Sequence, residues 1–128
     1  MYIYCWQDRR YYAIAIGKGS DPELRMHNFA EAARLIVRNG TLREHKLKPR
    51  TDARLVLDAV HIAVRSLGLS RIDGIKELYT LKGNLYEPIA SAVMRAAAAA
   101  EREVRLEAFG PEPEARQGDR AVVVSTKQ

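Results

Sequence analysis

The strongest constraint on this chain lies in its first sixteen residues. Two short runs rich in aromatic and β-branched residues, Tyr2–Trp6 and Tyr11–Ile16, flank the polar tetrad Gln7-Asp8-Arg9-Arg10. Such runs separated by a turn-forming stretch predict a β-hairpin. Paired symmetrically about the tetrad, so that partner numbers sum to 17, the strands place Tyr2, Tyr4 and Trp6 on one face with Tyr11, Ala13 and Ala15. Ile3, Cys5, Tyr12, Ile14 and Ile16 take the other face. Both faces are apolar, so the hairpin is either sandwiched by helices or offers one aromatic face to a ligand.

Helical signals follow. Gly17-Lys18-Gly19-Ser20 breaks the strand pattern, and Ser20 with Glu23 reads as a capping box with Pro22 in the first turn. The spacing predicts a helix to about Asn39, closed by Gly40, with Met26, Phe29, Ala33, Ile36 and Val37 as its buried stripe. Thr51 or Asp52 opens a second helix through Leu67, ended by Gly68 and apolar nearly all round, as a central core helix is. Residues 72–82 fit a short helix closed by Gly83 somewhat better than a strand from Ile75 to Lys82. Glu87-Pro88 opens an alanine-rich helix to about Arg102, with Ile89, Val93, Ala97 and Ala100 inward. Beyond it Val104, Leu106 and Ala108 alternate with charged residues, and Ala121–Val124 is β-branched, so residues 103–126 read as a second hairpin. The expected architecture is one α+β domain: a small antiparallel sheet built from N-terminal and C-terminal hairpins and packed with three to four helices.

Length and composition exclude much else. With 128 residues, 47% of them hydrophobic and 29% charged, the chain can bury a core without cross-links. Its one cysteine, Cys5, has no partner for an internal disulfide and points to a reducing, cytoplasmic setting. No apolar run approaches the roughly 20 residues of a membrane span, and the N-terminus has no signal-peptide pattern.

The charge is uneven. Residues 1–50 hold ten Lys/Arg against five Asp/Glu, which equals the whole net charge of +5. That distribution favours a polyanionic partner. The glycine-rich stretch with Lys18, where a strand hands over to a helix, has the makings of an anion site or of a plain capped turn. The run Arg43–Arg50, with Arg43, Lys46, Lys48 and Arg50 beside His45, is either a phosphate-contacting loop or a solvated connection. Exposed, Tyr2, Tyr4, Trp6 and Tyr11 would make a base-stacking platform; buried, they are core. His27, His45 and His61 are scattered, so no metal-ligand spacing of the zinc type is present.

One pattern goes further. Ile3-Tyr4, then Ala15-Ile16-Gly17, then Lys18-Gly19, then Arg25 and His27 resembles the motif of GIY-YIG nucleases over residues 3–27. The resemblance implies a hairpin followed by a helix carrying a phosphate-steadying arginine. Tyr4 would take the family's first tyrosine role, near the attacking water. Arg25 would stabilise the charge growing on the scissile phosphate. A glutamate on a later helix would hold one Mg²⁺, and Glu77, Glu87 and Glu101 all remain open for that role. The family's third strand would be Ile75–Lys82. The chain departs from the pattern at Tyr2, which stands at the first glycine, and at Ala15, which stands at the second tyrosine.

Three functions are therefore expected of a chain like this. The first is phosphate-backbone binding to nucleic acid through Lys18, Arg25, His27, Arg43, Lys46, Lys48 and Arg50, with no cofactor. The second is a divergent GIY-YIG-like, Mg²⁺-dependent nuclease using Tyr4 and Arg25. The third is a protein-interaction module, an inhibitor or assembly subunit, that contacts its partner through the aromatic hairpin.

Overall fold

A computed structural model describes residues 1–111. The chain forms β1 (Tyr2–Asp8), β2 (Ala13–Gly19), α1 (Pro22–Ala33), β3 (Arg43–Lys46), α2 (Ala53–Ser66), β4 (Arg71–Ile72), β5 (Ile75–Thr80) and α3 (Tyr86–Phe109). The strands make one antiparallel sheet in the order β3-β1-β2-β5-β4. The α+β class is as expected, with three helices.

The apolar double face of the hairpin explains the layering. Ile3, Cys5, Ile14, Ile16 and Tyr79 pack against Val56, Val60, Val64, Ala90, Val93 and Ala97 of α2 and α3. On the opposite side Tyr4, Trp6, Ala13, Ala15 and Leu78 pack against Met26 and Ala30 of α1. The sheet is thus sandwiched, and Tyr4 and Trp6 are each only 1% exposed. They are core, not a stacking platform. Each fully buried side chain of this size contributes about 1.5–3 kcal/mol.

The hairpin keeps the expected faces but not the expected register. Partner numbers sum to 21: Tyr4 lies opposite Gly17, Trp6 opposite Ala15 and Asp8 opposite Ala13. Tyr11 and Tyr12 lie in the turn, exposed, with Tyr12 at φ 50°. The cause is Asp8. Its buried carboxylate accepts hydrogen bonds from the Tyr11 and Ile36 backbone N–H groups, which fixes residues 9–12 as a loop.

Several boundaries differ from the sequence reading. Strand β2 runs on through Gly19, because Gly17, Lys18 and Gly19 pair with Tyr4, Ile3 and Tyr2. Helix α1 is capped by Asp21, whose side chain accepts from the Leu24 N–H, and not by Ser20. It stops at Ala33, where Arg34 turns left-handed at φ 58°, rather than at Gly40. Residues 35–41 are then tied along β1: Arg9 N–H donates to Ile36 O, Arg38 N–H to Gln7 O, and Gln7 N–H to Thr41 Oγ1.

Asp52 caps α2 as expected, by accepting from the Arg54 and Leu55 N–H groups, a contribution of ~1 kcal/mol. That helix is not the centrally buried one expected: it buries one face through Val56, Val60 and Val64 and leaves Leu55 and Ile62 exposed.

Residues 72–82 are not a helix. Asp73-Gly74, with Gly74 at φ 82°, joins β4 to β5 in a two-residue hairpin, the connection such a dipeptide favours. Nor do residues 103–109 open a C-terminal hairpin: they continue α3 to Phe109, because nothing before Gly110 breaks the helix. Ala121–Val124 lies outside the described residues. Among the described residues no helix is long and apolar enough to cross a membrane.

Candidate functional site

The hairpin register decides the site. Because Gly17 has no side chain, the Tyr4 ring lies across β2 and projects its hydroxyl toward β5. Around that hydroxyl stand Arg25 from α1 and Glu77 from β5. The Arg25 guanidinium is 3.8 Å from the Glu77 carboxylate, and a Cβ on Gly17 would meet a Glu77 oxygen at 3.3 Å. The Arg25 stem passes over Gly19, where a Cβ would make ordinary contact with it at 3.6 Å.

Glu77 reaches this face through a break in strand alternation. Leu78 packs in the Trp6 cluster on the α1 side of the sheet. Strict alternation would send Glu77 to the opposite side with Tyr79, yet its carboxylate stands beside Arg25. The regular β2–β5 ladder covers only residues 13–15 with 78–80, and where it stops the strand re-aims the side chain, as irregular strand ends near sites commonly do.

The Tyr4 hydroxyl is buried, and among the described residues no hydrogen bond of good geometry reaches it, although the Arg25 guanidinium stands near enough to pull on it as a donor. Buried polar groups are almost always satisfied, so an orphan costs about 1–3 kcal/mol and calls for an explanation. Burial and then the neighbouring Glu77 charge push its pKa up to about 12, against the pull of Arg25. Tyr4 is therefore a neutral hydroxyl that donates. Glu77 is raised from the ordinary carboxylate value by burial, with Arg25 and Lys18 pulling it back. The Arg25 side chain is 55% exposed and reaches solvent. The cluster thus combines a buried hydroxyl, a solvent-exposed cation and a half-buried carboxylate.

Of the sequence-predicted residues the structure brings together Tyr4 and Arg25; Lys18 pairs with Ile3 at a position on the other face, near enough to Glu77 to lower its pKa, and the rest lie apart. Lys46 shares the α1 face two strands away, in the row Lys46–Tyr2–Gly19. His27 is on the exposed side of α1, 4.0 Å from Glu23. The run Arg43–Arg50 is not a free loop. Its first half is edge strand β3, and α3 holds the rest of it down. Arg43 pairs with Glu87 at 2.6 Å, His45 with Glu101 at 2.9 Å, and Glu101 also accepts the Lys48 N–H. Arg50 lies over the Phe109 ring. Lys46, Lys48 and Arg50 remain exposed.

Of the three glutamates left open by the sequence, Glu87 and Glu101 are engaged with Arg43 and His45 on the other side of the sheet. Glu77 alone of the three stands beside Tyr4 and Arg25. Its position on a strand, not a helix, was hidden because residues 72–82 also fit a helical spacing.

A Mg²⁺ ion tests the site differently. Among the described residues no group of three or more His, Cys, Asp or Glu side chains could cage a cation. One carboxylate fits Mg²⁺ only where substrate phosphate oxygens and water complete the shell, which is the ion's usual habit. Cys5 has no part in this chemistry: it is buried beside the Tyr86 hydroxyl, and burial pushes its thiol up to about 12.

Comparison with known proteins finds no matching family, no matching curated protein and no matching solved structure.

Proposed function

We propose that this protein binds the phosphate backbone of nucleic acid through its N-terminal half, with the Tyr4–Arg25–Glu77 pocket as the seat for one phosphodiester. The observation that carries this reading is the orphaned, buried Tyr4 hydroxyl beside the solvent-reaching Arg25. A phosphate oxygen is an acceptor that satisfies the hydroxyl, and the guanidinium fork matches phosphate geometry. Lys18 adds charge at the same end of the sheet, and Lys46 extends the basic surface toward β3.

A second reading, a divergent GIY-YIG-like nuclease, rests on the placement of Glu77. A strand at Ile75–Thr80 carries Glu77 beside Tyr4 and Arg25, whereas the resemblance implies a glutamate on a later helix. In that role Arg25 stabilises the charge on the phosphate as it passes to the transition state. Tyr4 positions an oxygen by donating to it. Glu77 would hold a Mg²⁺ ion jointly with substrate phosphate, and such an ion supplies Lewis-acid charge stabilisation when bound. With Ala15 where the family has its second tyrosine, the hydroxyl at Tyr4 is the one tyrosine contribution at this pocket.

One gel series tests both readings: labelled single- and double-stranded DNA and RNA, across salt, with and without Mg²⁺ or Mn²⁺. Retardation that fades with salt and weakens in Arg25→Ala supports phosphate binding. Cutting that needs the metal and disappears in Glu77→Gln, while that variant still retards the probe, supports the nuclease. Neither retardation nor cutting overturns both and leaves the interaction module, whose hairpin contact would then rest on the exposed Tyr11 and Tyr12.

A further inference from the structure

At the other end of β1, on the α3 side of the sheet, lies a cavity of about 470 Å³ with no part in the pocket above. Gln7, Arg38, Asn39, Asn84 and the first turn of α3 line it. Three features there point the same way. The 24-residue helix α3 opens on Leu85, which has no capping side chain, so the Tyr86 and Glu87 N–H groups stand uncapped at the cavity end, while Pro88, the third residue, has no N–H. Gln7 is only 7% exposed and lines the cavity, and among the described residues its side-chain amide makes no hydrogen bond. Arg38 is exposed, and among the described residues its guanidinium has no ion-pair partner.

The one acid at the cavity, Glu87, is neutralised by Arg43 at 2.6 Å. Thr41 is already occupied, since its hydroxyl accepts from the Gln7 N–H and donates to Arg38 O. What is left over is a set of donors: two helix N–H groups with the positive end of a long helix dipole, the Gln7 amide and a guanidinium.

We propose that this cavity is a binding site for a phosphomonoester of a small molecule, with the phosphate at the α3 N-terminus. A phosphate has three peripheral oxygens to satisfy several converging donors, and the volume is that of a small-ligand pocket rather than an ion site. The site does not depend on the nucleic-acid reading, because it shares no residue with the Tyr4 pocket.

The test uses the full chain and two probes, inorganic phosphate and adenosine 5′-monophosphate, with adenosine as the control. Amide-resolved NMR titration should show saturable shifts at Tyr86 and Glu87 with both phosphates and none with adenosine. Arg38→Glu, a surface change that leaves the core intact, should weaken binding at least about tenfold. Gln7→Met should also weaken it, and Arg25→Ala should leave it unchanged. No saturable binding in the millimolar range overturns the site. So does binding that survives Arg38→Glu and disappears in Arg25→Ala, because the phosphate then sits at the Tyr4 pocket.

Discussion

The Tyr4 ring fills the space that a side chain at position 17 would occupy. A Cβ there would stand 2.7 Å from the tyrosine hydroxyl oxygen and 2.9 Å from Cζ. No left-handed backbone angle is involved at Gly17; the glycine is needed for close approach alone. Tyr4 is 1% exposed and rigid, so it has nowhere to swing. Gly17→Ala should therefore cost about 1–3 kcal/mol by overpacking, read from urea denaturation midpoints. It should also abolish nucleic-acid retardation, since the hydroxyl is displaced. Unchanged stability would show that the ring is not held where the structure places it.

Tyr4→Phe separates stability from function. Removing a buried, unpartnered hydroxyl relieves a desolvation cost, so the variant should be as stable as the parent or more stable by about 1 kcal/mol. Its affinity for nucleic acid should fall. Gain of stability paired with loss of binding is the trade-off expected of a residue that serves a ligand. A destabilised variant with normal binding would mean that Tyr4 Oη has a structural partner.

Asp8 is wholly buried and anchors both the β1–β2 turn and the segment after α1, through bonds of 2.8 Å to each of two backbone N–H groups. Asp8→Ala leaves both donors unpaired and should destabilise by about 2–4 kcal/mol, measurable by chemical denaturation. A loss below about 0.5 kcal/mol, the scale of an ordinary surface change, would contradict that anchoring role.

His61 gives the fold an acid sensitivity. Its Nδ1 lies 2.7 Å from the Tyr79 hydroxyl, which also accepts from Arg71 Nε, and a neutral imidazole with a bare Nδ1 accepts the hydroxyl hydrogen. Burial, with Arg71 and Arg65 nearby, lowers its pKa from 6.5 to about 4, opposed by Asp58. The unfolded chain thus binds a proton that the folded chain resists. This contribution to stability is complete above pH 6.5 and drains away as pH falls toward 4. The urea midpoint should drop over that interval, and His61→Gln, which still accepts from Tyr79, should flatten the drop between pH 6.5 and 5. An equal slope in the variant would assign the effect to the carboxylates.

What the sequence made legible was patterning, and what it hid was placement. The two apolar faces of the hairpin, the Asp52 cap and the end of α2 near Leu67 follow directly from residue type. The register did not, because Tyr11 and Tyr12 have strand-forming side chains while the Asp8 carboxylate holds that stretch in a turn. Asp73-Gly74 is a hairpin signal, but the spacing of Ile75, Leu78 and Tyr79 also fits a helix, and a helix there gives no reason to set Glu77 beside Tyr4. Arg43–Lys46 has no apolar residue to mark it as a strand; it is one through edge pairing with β1, where charge guards against further pairing. The alternation of Val104, Leu106 and Ala108 imitates a strand within a helix that the alanine run had already nucleated.

The most direct test of the phosphate seat is the affinity of labelled single- and double-stranded oligonucleotides for the parent protein and for Arg25→Ala, measured by anisotropy across a salt series. The parent's log affinity should fall linearly with log salt, and Arg25→Ala should be weaker at low salt, with a shallower slope by about one phosphate contact. Superimposable curves for the two proteins, or no salt-sensitive binding by either, would contradict it.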